Sequence, residues 1–311
     1  MKTLIKFFIA LFALYTTTAA YAQNRTTDTS ATCIAFWKNK DTRVYQIKHT
    51  KEKYDEAKSK TVAEATYEAH VNVIDSTAKG FTIEWVYKNY STSGAPEQTL
   101  NSLHSIMEGL KIIYKTDNMG TFTELTNWKE VSDFAISAYQ KAVAAQPQNK
   151  EFAAGLNQIK AIFQSKENIE ALLIKEVQLF HSPFGVEYNK AGTTIETALP
   201  NVTGGAPFPA TITLILNELN QKQDYCKVSL NQVIDKGKAG PIITEMLKKL
   251  SATPIKDEEE LKKQVMDMEI SDINEFTFAI SSGWIQRVFY SRTTNVGTIK
   301  QTESFEITEK K

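Results

Sequence analysis

Between Ala65 and Asp75 the side chains alternate strictly: Tyr67, Ala69, Val71 and Val73 share one side, and Thr66, Glu68, His70 and Asn72 the other. Phe81, Ile83, Trp85 and Tyr87 repeat the pattern against Thr82, Glu84 and Lys88. A strand turns successive side chains to opposite faces, so this period predicts half-buried antiparallel strands with one face on a core and one in water. With Arg43–Lys53 they form a three-stranded meander. An apolar content of 42% and a charged content of 23% match globular usage and exclude collagenous, coiled-coil and disordered classes.

The rest of the chain changes period twice. Leu100, Leu103, Ile106, Met107 and Leu110 have helical spacing; strands are expected at Lys111–Lys115 and Thr121–Thr126, joined by a turn at Asp117–Gly120. Asn127 and Glu130 have the spacing of a capping box, with Val131, Phe134, Ala135 and Ala138 as the stripe behind it. Further helices are expected through Phe152–Phe163 and Ile169–Phe180, with stops at Pro147 and Pro183. Residues 127–183 thus read as a helical insertion between sheet regions 32–126 and 184–311. The second region carries an expected hairpin around Asn189–Gly192, a loop at Asn201–Pro209, and strands at Ala210–Leu216 and Tyr225–Val233. Gly240–Pro241 is read as opening one helix and Asp257 another. Three final strands are expected at Phe276–Ile280, Trp284–Arg292 and Thr298–Ile307. The fold class is α+β: a curved, half-barrel-like antiparallel sheet with helices packed on one face. Both regions run strands, helix, hairpin, which duplication and the general likeness of hairpins explain equally well.

The first residues read as an export signal. Lys2 and Lys6 precede nine apolar residues, Phe7–Tyr15, and Ala20-Tyr21-Ala22 gives a small-x-small site, so cleavage is expected after Ala22. Nine residues fall short of the roughly 20 that cross a bilayer, and no later run approaches that length. The expectation is export to the periplasm or beyond, with residues 23–31 a loose leader and 32–311 the folded domain. Gln23 occupies the position after cleavage where a lipoprotein would carry its acylated cysteine, so a lipid anchor is not expected. The 36 basic and 36 acidic side chains cancel, so no field recruits nucleic acid.

Chemical motifs are sparse. HExxH, GxSxG, Walker A and GxGxxG do not occur, and the four histidines, His49, His70, His104 and His181, read as structural. No cofactor or metal is implied. Cys33 and Cys226 could form a disulfide in an oxidising compartment or stand as separate buried thiols. The remaining feature is aromatic: Phe81, Trp85, Phe276, Phe278, Trp284 and Phe289 lie on expected strands, where large rings fill a core beneath helices or line a concave apolar pocket. The leading reading is a non-enzymatic exported protein that holds an apolar or lipid-like ligand. The alternatives are docking of an envelope protein through sheet edges or residues 127–183, and a hydrolase with a noncontiguous site.

The export signal, the Trp85-containing meander, the Gly120 hairpin and the strands opened by Gly283-Trp284 resemble exported Gram-negative bacterial proteins of unknown function. More distantly, the curved sheet with helices packed into it resembles the lipoprotein-carrier half-barrel of the LolA and LolB type. That resemblance implies acyl-chain binding in an apolar concavity; none of the family's binding residues map onto this sequence.

Overall fold

The computed structural model describes residues 26–54, 60–94, 107–145, 160, 163–199, 206–250, 258–296 and 299–311. The expected signal peptide, most of the helix expected at Leu100–Leu110 and most of that expected at Phe152–Phe163 lie outside these residues.

Eleven strands build one open antiparallel sheet. The first half holds β2 (Thr42–Tyr54), β3 (Lys60–Thr77), β4 (Gly80–Gly94), β5 (Lys111–Thr116) and β6 (Phe122–Leu125). The second holds β8 (Thr193–Leu199), β9 (Phe208–Asn220), β10 (Tyr225–Ile234), β11 (Glu269–Phe278), β12 (Ile285–Val296) and β13 (Ile299–Glu309). Their order is β6-β5-β4-β3-β2-β13-β12-β11-β10-β9-β8, so each half is a meander and the two fuse where β13 pairs with β2. The Arg43–Glu309 ion pair, at 2.9 Å, and a Lys310 N–H to Val44 carbonyl bond, at 2.8 Å, fasten that seam. The two expected sheet regions are therefore one curved surface. A separate pair, β1 (Ser30–Thr32) with β7 (Glu187–Asn189), packs on β9.

Among the described residues between β6 and β7, α1 (Trp128–Ala145), α2 (Lys166–Leu173) and α3 (Lys175–His181) lie on one face. Two more, α4 (Lys236–Leu250) and α5 (Glu258–Asp267), link β10 to β11 and make a small satellite core around Ala239, Ile243 and Val265.

Several expectations change. The loose leader is ordered from Thr26: Ala31 is fully buried, because β1 finds a partner in β7. For the same reason Asn189–Gly192 is no hairpin, since β7 pairs with β1 while β8 pairs with β9. The helix read from Gly240-Pro241 starts five residues earlier than Pro241, at Lys236, where Asp235 accepts the Lys238 N–H at 3.2 Å. Pro241 then sits inside the helix, where it removes one intrahelical donor. The helix expected through Ile169–Phe180 breaks at Ile174, whose φ of −120° and ψ of 30° are not helical. Asn127 does reach Glu130, at 3.1 Å, yet its amide chiefly binds the Ile113 N–H and the Lys111 carbonyl, stitching α1 to β5.

The segment after Cys33 forms no regular element but ties the two halves together. Ala35 N–H donates to Met119 O at 2.9 Å in the β5–β6 turn, and Phe36 N–H to Ser282 O at 3.1 Å in the β11–β12 turn. Gly283 permits this approach: its φ is +69°, and a Cβ there would lie 1.9 Å from Ile34 O.

Candidate functional site: the inner face of the sheet

Register sorts the helix-covered face into rows. The first row crosses seven strands as Tyr67, Ile47, Ile307, Val288, Phe276, Val228 and Leu216, all buried. Two residues along each strand comes Ala65, His49, Phe305, Tyr290, Asn274, Leu230 and Leu214. Two further on the row is Lys51, Glu303, Arg292, Asp272 and Gln232. The same face grades from wholly apolar, through mixed, to alternating charge over four residues, about 13 Å of strand.

The charged row is internally bonded. Arg292 meets Asp272 through two hydrogen bonds, at 2.7 and 2.6 Å, and Asp272 is buried. Glu303 accepts from His49 at 2.9 Å and from Lys175 of α3 at 2.8 Å, with Lys51 at 3.6 Å. Burial opposes ionisation of Glu303, but the His49 bond and the Lys175 charge outweigh it and hold the carboxyl well below its usual range. His49 stacks on Phe305 at 4.0 Å, and the Lys175 ammonium lies 4.6 Å from the Tyr290 ring centre.

Over the apolar row lies α3. Phe180 meets Tyr45 and Trp85 edge-on at 5.1 and 5.5 Å. Trp37 stacks on Trp284 at 4.7 Å and contacts Phe81 and Phe184. His181, beneath it, accepts at Nε2 from the Tyr114 hydroxyl and donates from Nδ1 to Gly120 O, both at 2.7 Å; this is the neutral tautomer that burial favours. Desolvation lowers its pKa to about 4, although the Gly120 bond pulls the other way. His181 is therefore a structural clamp between α3 and the β5–β6 turn. It offers no proton for chemistry near neutrality.

Of the six aromatic residues singled out in the sequence, Phe81, Trp85, Phe276, Phe278 and Trp284 are buried on this face in one continuous core. Phe289 is separated from them. It sits between Glu275 and Glu306 on the opposite face, half-buried, with the Arg287 guanidinium 5.4 Å from its ring. Trp37, Phe180, Asp272, Glu303 and Glu176 escaped the sequence reading. Only Phe180 had a periodic signal, as part of a helix stripe.

Cys33 and Cys226 are free, fully buried thiols. Burial pushes the Cys226 pKa up to about 12 and that of Cys33 well up, with a further rise from Cys226 itself. The two thiols are therefore neighbours, kept protonated and unreactive.

No family model and no curated protein matches this chain. Among solved structures, one of lipovitellin, titled for its lipid–protein interactions, aligns at 8% identity with a TM-score of 0.40, over 88% of this chain and 25% of that one. The chain thus spans about a quarter of that protein's length. Among the described residues no group of three metal-ligating side chains exists and no helix is long and apolar enough to cross a membrane.

Proposed function

We propose that this is an exported binding protein whose inner sheet face takes an apolar, lipid-like ligand beneath α2 and α3. The observation that carries the reading is the graded face itself. Seven buried apolar side chains in register make a floor about 30 Å across at the usual strand spacing, long enough for an extended acyl chain. Lys51, Arg292 and Lys175 at its rim suit a polar head group. The cover is two helices of eight and seven residues, broken at Ile174, and helices so short owe their stability to packing. A ligand that replaces the contacts of Phe180 and Val177 with its own can displace them at small cost. The export half of the reading rests on Lys2, Lys6 and Ala20–Ala22, and the half-barrel carrier family of the LolA and LolB type is the nearest functional analogy.

The test is native mass spectrometry of protein purified from its own compartment, paired with titration of a fluorescent fatty acid. The reading expects a co-purified lipid mass and saturable uptake. Absence of both contradicts it.

A further inference from the structure

Glu176 is an acidic side chain buried on the sheet-facing side of α3. It lies on α3, 6% exposed, and points onto β3 and β4, where the Tyr67 hydroxyl donates to Oε1 at 2.5 Å and the Tyr87 hydroxyl to Oε2 at 3.3 Å. Among the described residues no lysine, arginine or histidine forms an ion pair with it; the adjacent Lys175 is committed to Glu303. Taking a carboxylate out of water costs several kcal/mol unless an opposite charge compensates, and two phenolic hydrogen bonds supply no charge.

Beside this carboxylate the protein leaves room. A recess of about 10 Å³, enough for one water-sized group, is bounded by Glu176, Tyr67, Tyr87, Tyr90 and Met107. The Tyr67 and Tyr90 rings stack at 5.7 Å, and Tyr87 stands edge-on to Tyr67 at 5.6 Å. At the mouth Glu108 accepts the Asn89 and Tyr90 N–H groups at 3.2 and 3.0 Å, fixing the irregular stretch of β4 where Asn89 adopts a φ of +57°. Lys88 also borders the recess, with its side chain exposed. Burial, then the Glu176 charge, keep the Tyr67 and Tyr87 hydroxyls protonated, so they serve Glu176 as donors only.

We propose that this recess binds the ammonium group of a small primary amine, with Glu176 as counter-ion and the tyrosine rings as its walls. A hard divalent cation is disfavoured by the donor set, because calcium takes six to eight oxygens and both phenols spend their protons on the carboxylate. An ammonium needs an anionic oxygen to accept from it, which Glu176 offers, while the stacked Tyr67 and Tyr90 rings bound the space beside it. The recess shares Tyr67 and α3 with the sheet floor, so it exists only while α3 is seated, and it is tested on the lipid-free protein.

The test uses ethylammonium chloride against the full chain by calorimetry or ligand-observed NMR, with sodium chloride at equal ionic strength as the blank. Saturable binding is expected, weakened about tenfold or more in Glu176→Gln, with tetramethylammonium too bulky to compete. Tyr90→Leu keeps the carboxylate and opens one wall; it should bind several-fold more weakly, and it decides the matter if Glu176→Gln does not fold. No saturable binding of ethylammonium, or equal binding by the wild type and both variants, overturns the proposal.

Discussion

The apolar row and the charged row lie on the same strands and the same face, four residues apart, yet they are stabilised in opposite ways. Around Ile47, Val288 and Phe276 the sheet is closed by contact alone: Phe180, Trp37 and Trp284 fill the space with rings. Around Glu303 and Asp272 each side chain is fixed by a charged neighbour on the next strand or on α3. Packing of the first kind is sensitive to loss of volume and, His181 apart, ignores pH, whereas the second tolerates loss of volume and fails when one charge is removed. On the proposed reading a lipid replaces the first set of contacts with its own and leaves the second, so the charged row marks the limit of the floor.

The largest expected difference is in volume. Phe180→Ala removes a ring that touches Tyr45 and Trp85, and should cost about 4 kcal/mol in chemical denaturation. A cost below about 1 kcal/mol, the scale of a surface substitution, would mean that α3 is no part of the core.

Next comes pH. The folded pKa of His181, about 4, lies below the ordinary unfolded value of roughly 6.5, so the unfolded chain binds the proton first. Stability from this group is complete above that range and falls as pH drops from about 6.5 to 4, by about 3 kcal/mol. Glu303, whose carboxyl is depressed, adds its own loss only below about 4.3. Denaturation curves across this range should show the upper loss in wild type and a flatter profile in His181→Gln; an unchanged profile breaks the assignment.

The smallest effect separates charge from volume. Asp272→Ala strands the Arg292 guanidinium and should cost about 2 kcal/mol, reduced from a fully buried pair because Arg292 reaches solvent. Replacing both, Asp272→Leu with Arg292→Met, should be near neutral. If the double variant is as unstable as the single one, the row is held by shape and the contrast fails.

The alternation of Tyr67 to Val73 and of Phe81 to Tyr87 makes the first half of the floor legible, because apolar side chains there, Val86 apart, face inward. It failed in β11. There Glu269–Glu275 turns Asp272 and Asn274 inward and leaves Ile273 exposed, against the hydrophobic pattern, so the strand was recognised only from Phe276. Those polar residues are satisfied by partners 20 and 44 positions away, Arg292 and the Leu230 carbonyl, and no local periodicity reports such a pairing. Trp37 was missed because its segment follows the turns it bridges and has no period of its own. Glu176 and Lys175 carry no sequence signal, since nothing local says that the sheet surrounds them. The strand expectation holds for Phe276 and Phe278, whereas Trp284 lies in the turn just before β12, and Phe289 is on β12 with the opposite parity.

The central claim is that the aromatic floor admits an acyl chain once α2 and α3 lift. Titration with a fatty acid brominated along its chain tests it most directly, since bromine quenches indole emission only on contact and Trp37, Trp85 and Trp284 all lie in the core of this face. Saturable quenching of the buried tryptophans, relieved by an unbrominated fatty acid, is the predicted result. Emission unchanged through the titration, while a fluorescent fatty acid is likewise ignored, would contradict it.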